Sequence, residues 1–306
     1  MQDNQKYFLV TGASGFLGIE VCKLLQEAGY KLVVIRHQAA PAGDVITHTA
    51  DISKFEELET AFQAYPIQAI IHLAATLTTN SNQNPDMAFR VNILGSNNLL
   101  ECAQKYKVGR FIYASSYSLI GYHPLEECPV DESIAPRPCN FYGETKKFVE
   151  AMGISYANKF GFEFAAGRMG AVVGPGNALS TSAWRMDIFN LLKTGGKIAF
   201  KFAPQVQLPI SEVVDTARAL VTLATAEKVA HPIYHLPNDS LRVEEIAAMV
   251  KSLREDIEFS YGTFTEVDMP PLLSSDLFYN EFPDFSHIPL IESLRKYQQL
   301  NKKKGE

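Results

Sequence analysis

Short uninterrupted apolar runs alternate along this chain with stretches whose apolar residues recur at helical spacing. Tyr7 to Val10 reads as a buried strand. It runs into the turn Thr11-Gly12-Ala13-Ser14-Gly15-Phe16-Leu17-Gly18, then into a helix with Val21, Leu24 and Leu25 on one face as far as Gly29. Lys31 to Ile35 predicts a second strand. Ile67 to Leu73 and Arg110 to Ala114 predict two more, each preceded by a helical stretch such as Asp86 to Tyr106. This alternation predicts parallel βαβ units and an α/β doubly wound parallel sheet. The proline-rich Pro124 to Pro138 reads as a loop at the carboxyl edge of the sheet, and a helix from Tyr142 to about Lys159 resumes the pattern. After Gly174-Pro175-Gly176 the alternation loosens. Residues 1–175, with a return segment at about 205–236 that includes Val213 to Ala226, are therefore assigned to the main domain, and 176–204 with 237–306 to a smaller C-terminal substrate lobe.

Bulk properties narrow the possibilities. At 306 residues and 46% hydrophobic content the chain can bury a large domain plus a lobe. Lys and Arg total 28 against 34 Asp and Glu, a net charge of −6 without a basic stripe, which argues against a nucleic-acid partner. Cys22, Cys102, Cys128 and Cys139 are scattered without a CxxC pair, a pattern of buried or idle thiols in a reducing compartment. No run approaches the roughly 20 apolar residues that span a bilayer, and Tyr7 to Val10 is too short for a signal-peptide core. A soluble, cytoplasmic protein is expected. His72, His123, His231, His235 and His287 show no metal spacing, so no metal is expected, and Lys302-Lys303-Lys304 reads as a solvated end.

The glycine turn carries the first chemical expectation. Gly12, Gly15 and Gly18 lie between strand and helix, where a bare backbone can turn tightly and approach a pyrophosphate facing the helix amino end, with Ser14, Phe16 and Leu17 on the same turn. Glycines serving only a turn would look alike, but the strand before and the helix after favour a Rossmann dinucleotide site. An NAD site would place an acidic residue about 20 positions further on. This chain has Arg36 there, then His37. A guanidinium can hold a 2′-phosphate, which favours NADP over NAD, while an arginine on a solvated loop is the plainer alternative. Asp51, with Ile52, is expected near the adenine.

Tyr142-Gly143-Glu144-Thr145-Lys146 sets Tyr142 and Lys146 four apart on one helix face, with an ammonium near a phenol. A nearby cation and a positive nicotinamide ring would favour the phenolate, making Tyr142 an acid or base at a carbinol carbon. Ser116, beyond the strand Arg110 to Ala114, could donate to the same oxygen; Ser118 could assist it or merely cap local backbone.

Together the Thr11 to Gly18 turn, Asp51-Ile52, His72-Leu73-Ala74-Ala75, Asn92 before Gly95, Ala114-Ser115-Ser116, the Tyr142/Lys146 pair and Gly174-Pro175-Gly176 resemble the extended short-chain dehydrogenases/reductases, the NAD-dependent epimerase/dehydratase family. The resemblance covers most of the chain. It implies Ser116, Tyr142 and Lys146 as the catalytic set; Leu73, Ala74 and Ala75 along the cofactor; and Asn92 ordering the helix near the site. It also implies a homodimer through helices such as Asp86 to Tyr106 and Tyr142 to Lys159. Departures concern the substrate. Ala171 stands where sugar-nucleotide members usually have Asn, and Tyr117-Ser118 replaces the Asp-Glu pair of a dehydratase, so a 4,6-dehydratase is not expected.

Several readings stay open: an NADPH-dependent carbonyl or keto-sugar reductase acting on a small molecule, favoured by Arg36 and Ala171; a nucleotide-sugar epimerase with retained NAD; a non-catalytic NADP-binding sensor; and a binding subunit using Phe278-Tyr279, Phe282 and Phe285. His72 reads as a packed neighbour of the cofactor. Trp184, beside Arg185, and Arg137 are candidate substrate contacts.

Overall fold

The computed structural model describes residues 6–36, 45–176 and 182–303. Its first half alternates strand and helix: β1 (Tyr7–Thr11), α1 (Phe16–Glu27), β2 (Lys31–Arg36), β3 (Ile46–Thr49), α2 (Phe55–Ala64), β4 (Ile67–His72), α3 (Thr78–Gln83), α4 (Pro85–Ala88), α5 (Gly95–Lys105), β5 (Arg110–Ala114), α6 (Phe141–Phe160) and β6 (Glu163–Arg168). Then follow β7 (Ala171–Val173), α7 (Trp184–Thr194), β8 (Gly196–Phe202), β9 (Gln207–Glu212), α8 (Val213–Thr225), β10 (Ile233–His235), β11 (Asp239–Arg242), α9 (Val243–Leu253), β12 (Ile257–Phe264), α10 (Asp276–Glu281) and α11 (Leu290–Lys303). Seven strands form one parallel sheet in the order β10-β6-β5-β4-β1-β2-β3. The order reverses between β1 and β4, and the crevice beyond their carboxyl ends is where such sheets bind ligands.

The uninterrupted apolar strands are explained by cover on both faces. On β1, Phe8 and Val10 point to one side and pack with Val21, Leu25 and Leu220, while Leu9 points to the other and packs with Leu58, Leu99 and Val149. Helix α6 has clear ends: the Asn140 side chain accepts the Gly143 N–H at 2.8 Å, and Gly161 stops the helix at φ 78°. The predicted single helix from Asp86 to Tyr106 is instead α4 and α5 joined by a π-helical stretch, Phe89–Leu94. That wider turn points Asn92 inward, and Gly95 meets Ile52 so closely that a Cβ would lie 2.7 Å from its side chain.

A second set of elements has its own core. β7, β9 and β11 form a three-stranded sheet, β8 and β12 a parallel pair, and α7, α9 and α11 cover them with Phe189, Phe200, Ile246 and Leu294 inside. The expected borders shift here. β7, placed before residue 175, and β9, placed in the return segment, both pair within the small sheet, whereas α8 and β10 belong to the large one. The Phe278 group, offered as a docking surface, packs the main core: Phe278 is fully buried, with Tyr234, Phe282 and Phe285 around it. An apolar cluster at helical spacing satisfies burial before it serves a partner. Among the described residues no helix is long and apolar enough to cross a membrane.

His287 fastens the C-terminal segment. Its Nδ1 contacts Asp215 of α8 at 2.6 Å and its Nε2 contacts Asp239 of β11 at 3.1 Å. Burial pulls this imidazole down, but the two carboxylates carry it up to about 9. A folded-state value above the unfolded one, about 6.5, gives stabilisation that is complete below about pH 6.5 and lost as pH rises through about 9. Thermal unfolding should therefore show a lower Tm at pH 9.5 than at pH 6, and His287→Gln, which keeps a donor but cannot titrate, should flatten that difference.

Candidate active site

A cleft of about 1010 Å³ opens at the β1/β4 switch point and runs from the glycine turn to Tyr142. Gly12 sits at φ 70°, and a Cβ there would lie 2.7 Å from the Ala74 amide nitrogen; one on Gly18 would collide with the Gly12 carbonyl oxygen. The turn can close only with glycine at these two positions. Gly15, the residue before α1, offers no capping group, and the first turn of α1 has no acid, so its positive end faces the cleft uncompensated by a side chain. This cradle fits an anionic pyrophosphate.

Ser14, Gly15, Phe16, Leu17 and Gly18 all line this end. Arg36 lies at the carboxyl end of β2 on the cleft wall, and Asp51 and Ile52 line the wall beside it. Asp51 Oδ1 already accepts the Ser53 N–H at 2.9 Å and hydroxyl at 2.8 Å. His37 lies outside the described residues. Leu73, Ala74 and Ala75 follow β4 along the floor.

Ser116, Tyr142 and Lys146 meet at the other end. Lys146 is buried; its Nζ donates to the Ala114 carbonyl at 2.7 Å and lies 5.6 Å from the centre of the Tyr142 ring. Burial drives this ammonium down to about 7, with Glu150 pulling upward. Burial likewise pushes the Tyr142 phenol up to about 12, against the hydrogen bond from Ser116 and the charge of Arg185. The expected phenolate is therefore not the resting form of the protein alone: desolvation outweighs the cations in reach, and Tyr142 stands protonated. Ser116 Oγ also accepts the Ser118 N–H at 3.2 Å, so this hydroxyl serves both the turn and the tyrosine.

Below the cleft, buried polar groups hold these residues in place. Asn92 does not reach the cleft. Its Oδ1 accepts the Thr76 N–H at 2.8 Å, and its Nδ2 donates to the Thr76 carbonyl and the Thr145 hydroxyl, each at 3.1 Å, joining the β4 loop to α6. His72, held at about 3 by burial, lies between Thr11 at 2.6 Å and Ser96 at 2.9 Å. Ser96 donates to the Asn92 carbonyl, which makes His72 Nε2 the donor and Nδ1 the acceptor of the Thr11 hydroxyl. Arg168 and Glu150 form a buried bidentate pair at 3.0 and 2.7 Å, and Glu150 also accepts from Ser115 at 2.6 Å.

Two substrate candidates are displaced. Trp184 is buried in the small core against Phe200, at 5.4 Å between ring centres, and Arg137 is exposed away from the cleft. An aromatic ring is drawn into apolar packing, and it is the neighbour of Trp184 that lines the cleft: Arg185, with Lys201, Asp268 and Met269. Asp268, bonded to Asn140 at 2.6 Å, carried no signal in the sequence. Glu150 did, standing four residues beyond Lys146 on the same face.

A model of the NAD dependent epimerase/dehydratase family matches residues 8–236. The UDP-glucuronate 4-epimerase of Thermodesulfobacterium geofontis is 31% identical over 199 residues, covering 58% of this chain and 60% of the relative. The mitochondrial L-threonine 3-dehydrogenase of Bos taurus is 24% identical over 270 residues, 85% of this chain and 71% of the relative. The chain spans less than two thirds of the length of the first sugar-nucleotide epimerases it matches. The UDP-glucose 4-epimerase of Thermus thermophilus, solved in complex with NAD, superposes with a TM-score of 0.82 at 22% identity over 97% of this chain and 99% of that one, showing the same fold.

Replacing Asn92 with Ala would leave the buried Thr76 amide without its partner and the Thr76 carbonyl with the Ser81 hydroxyl as its remaining donor. An unpaired buried amide costs about 1–3 kcal/mol, so Asn92→Ala should lower the urea midpoint with an unchanged m-value, measured by circular dichroism.

Proposed function

The chain belongs to the NAD dependent epimerase/dehydratase family, and from that premise we propose that it is an enzyme moving a hydride to or from a hydroxyl or carbonyl carbon with a nicotinamide dinucleotide. One observation carries the reading: a single cleft has the glycine cradle at one end and Ser116, Tyr142 and Lys146 at the other. Bound there, the dinucleotide would supply or accept the hydride. The chain's own residues do the rest. Tyr142, held protonated, is equipped to donate its phenol proton to a carbonyl oxygen as the carbon is reduced, and to take it back in oxidation. Ser116 orients the same oxygen, and the Lys146 ammonium supports the phenolate left behind.

Within this chemistry the favoured reading is an NADPH-dependent reductase of a carbonyl compound or keto sugar. Arg36 supports it: a guanidinium at the end of β2 can hold a 2′-phosphate but cannot accept bonds from ribose hydroxyls. The alternative, an epimerase that keeps NAD, draws support from the 4-epimerases among the relatives and from the NAD in the Thermus structure. A silent sensor is disfavoured by the complete catalytic set. The same reading pairs two copies through α4, the π-helical stretch after it, α5 and α6, where Met87, Phe89 and Phe148 are exposed.

Mass spectrometry of the purified protein followed by NADPH and NADH titration tests this. Reversible binding with NADPH preferred, and that preference lost in Arg36→Ala, is the expected result. Tightly retained NAD would make the epimerase the leading account, and binding of neither would end the proposal. Tyr142→Phe should bind cofactor as before while turnover falls by a factor on the order of 10²–10⁴.

A further inference from the structure

We propose that Arg185 anchors a carboxylate carried close to the reacting carbon, so that the substrate is a short hydroxy or oxo acid. This rests on the hydride-transfer reading above and names its substrate class. Arg185 enters from the first turn of α7 and lines the reacting end of the cleft. Its Nε is buried and, among the described residues, has no hydrogen-bond partner. An unpaired donor on a half-buried guanidinium is a standing desolvation cost, and Nε with one Nη is the edge that a carboxylate engages by two parallel bonds.

Position narrows the ligand. The Arg185 charge reaches Tyr142, where it opposes the rise of the phenol, and burial lowers Arg185 itself while Asp268 and Tyr142 act to keep it charged. Arg185 lines the same cleft as Ser116 and Tyr142, so the anion it receives shares that cleft with the oxygen that Tyr142 serves. Around it, Lys201 adds a second cation, and the carboxylate of Asp268 is engaged with Asn140 at 2.6 Å. On the adjoining wall Met169, Gly170 and Val172 offer no side-chain donor for a diphosphate. One guanidinium suffices for a carboxylate next to a carbinol.

Trp184 supplies the readout. It is the single tryptophan of the chain, and the Arg185 guanidinium lies 6.0 Å from its ring centre. Tryptophan fluorescence is followed while malonate, 3-hydroxybutyrate, 3-hydroxybutanamide and UDP are titrated into the protein, with and without saturating cofactor. The two carboxylates should shift the emission and the uncharged amide should not. Arg185→Met should weaken both carboxylates by about tenfold or more with cofactor affinity unchanged, and Arg185→Lys should restore part of the loss. No response to either carboxylate, an equal response in Arg185→Met, or a response to UDP at lower concentration than to both acids would overturn the assignment. Failure to bind cofactor, with the carboxylate response intact, would instead strike the hydride-transfer reading alone.

Discussion

A charge taken out of water must be matched, and the pair of Arg168 and Glu150 is where this requirement organises the protein. Breaking a buried pair by removing one partner costs about 3–5 kcal/mol, so each element that contributes to it is fixed relative to the others. Arg168 ends β6, and Glu150 stands on α6 one turn beyond Lys146. Ser115, just past β5, donates to the same carboxylate. On the far side Arg168 faces His235 of β10, whose ring is held neutral by burial and by the Arg168 charge, and whose backbone N–H reaches Glu132 in the proline-rich loop. One ion pair thus joins three strands, the helix carrying Tyr142 and the loop beside the cleft.

That helix places two titrating groups in one dry environment, where burial drives them in opposite senses. Tyr142 rises and Lys146 falls, so each neutral form gains over its ion. The arrangement is poised rather than pre-ionised: a positive charge arriving in the cleft would shift Tyr142 toward phenolate, and an anion would shift Lys146 toward ammonium. Burial, which looks adverse for acid-base chemistry, makes these groups responsive to what binds.

Much of this was legible in the sequence, and the boundary of legibility is physical. The central strands β1, β2, β4 and β5 were legible because burial on both faces leaves mostly apolar positions, whereas β3, half-exposed and polar, β6 and β10 were not; the glycine turn and the Tyr142/Lys146 spacing are local patterns. The π-helical stretch at Phe89–Leu94 was invisible because it answers to Ile52 and Thr76, residues that periodicity does not connect to it. Asp268 meets Asn140 across 128 positions, and nothing at either end foretells the meeting. Trp184 and Arg185 show a subtler limit. The two stand side by side in the chain, but the ring turned to the core and the cation to the cleft, a division decided by the direction of two adjacent side chains on α7.

The C-terminal segment returns to the main domain as well as completing the lobe. Phe278 is enclosed by Tyr234 and by Phe282 and Phe285, Arg218 lies 4.6 Å from the centre of the Phe285 ring, and the Glu281 carboxylate accepts the Tyr234 hydroxyl at 2.6 Å. During synthesis on the ribosome, where chains tend to fold from the amino end, the sheet of the first half emerges early with this face still open to water. That face is covered only once Phe285 has left the exit tunnel, so the half translated first is among the last parts of the molecule to be finished.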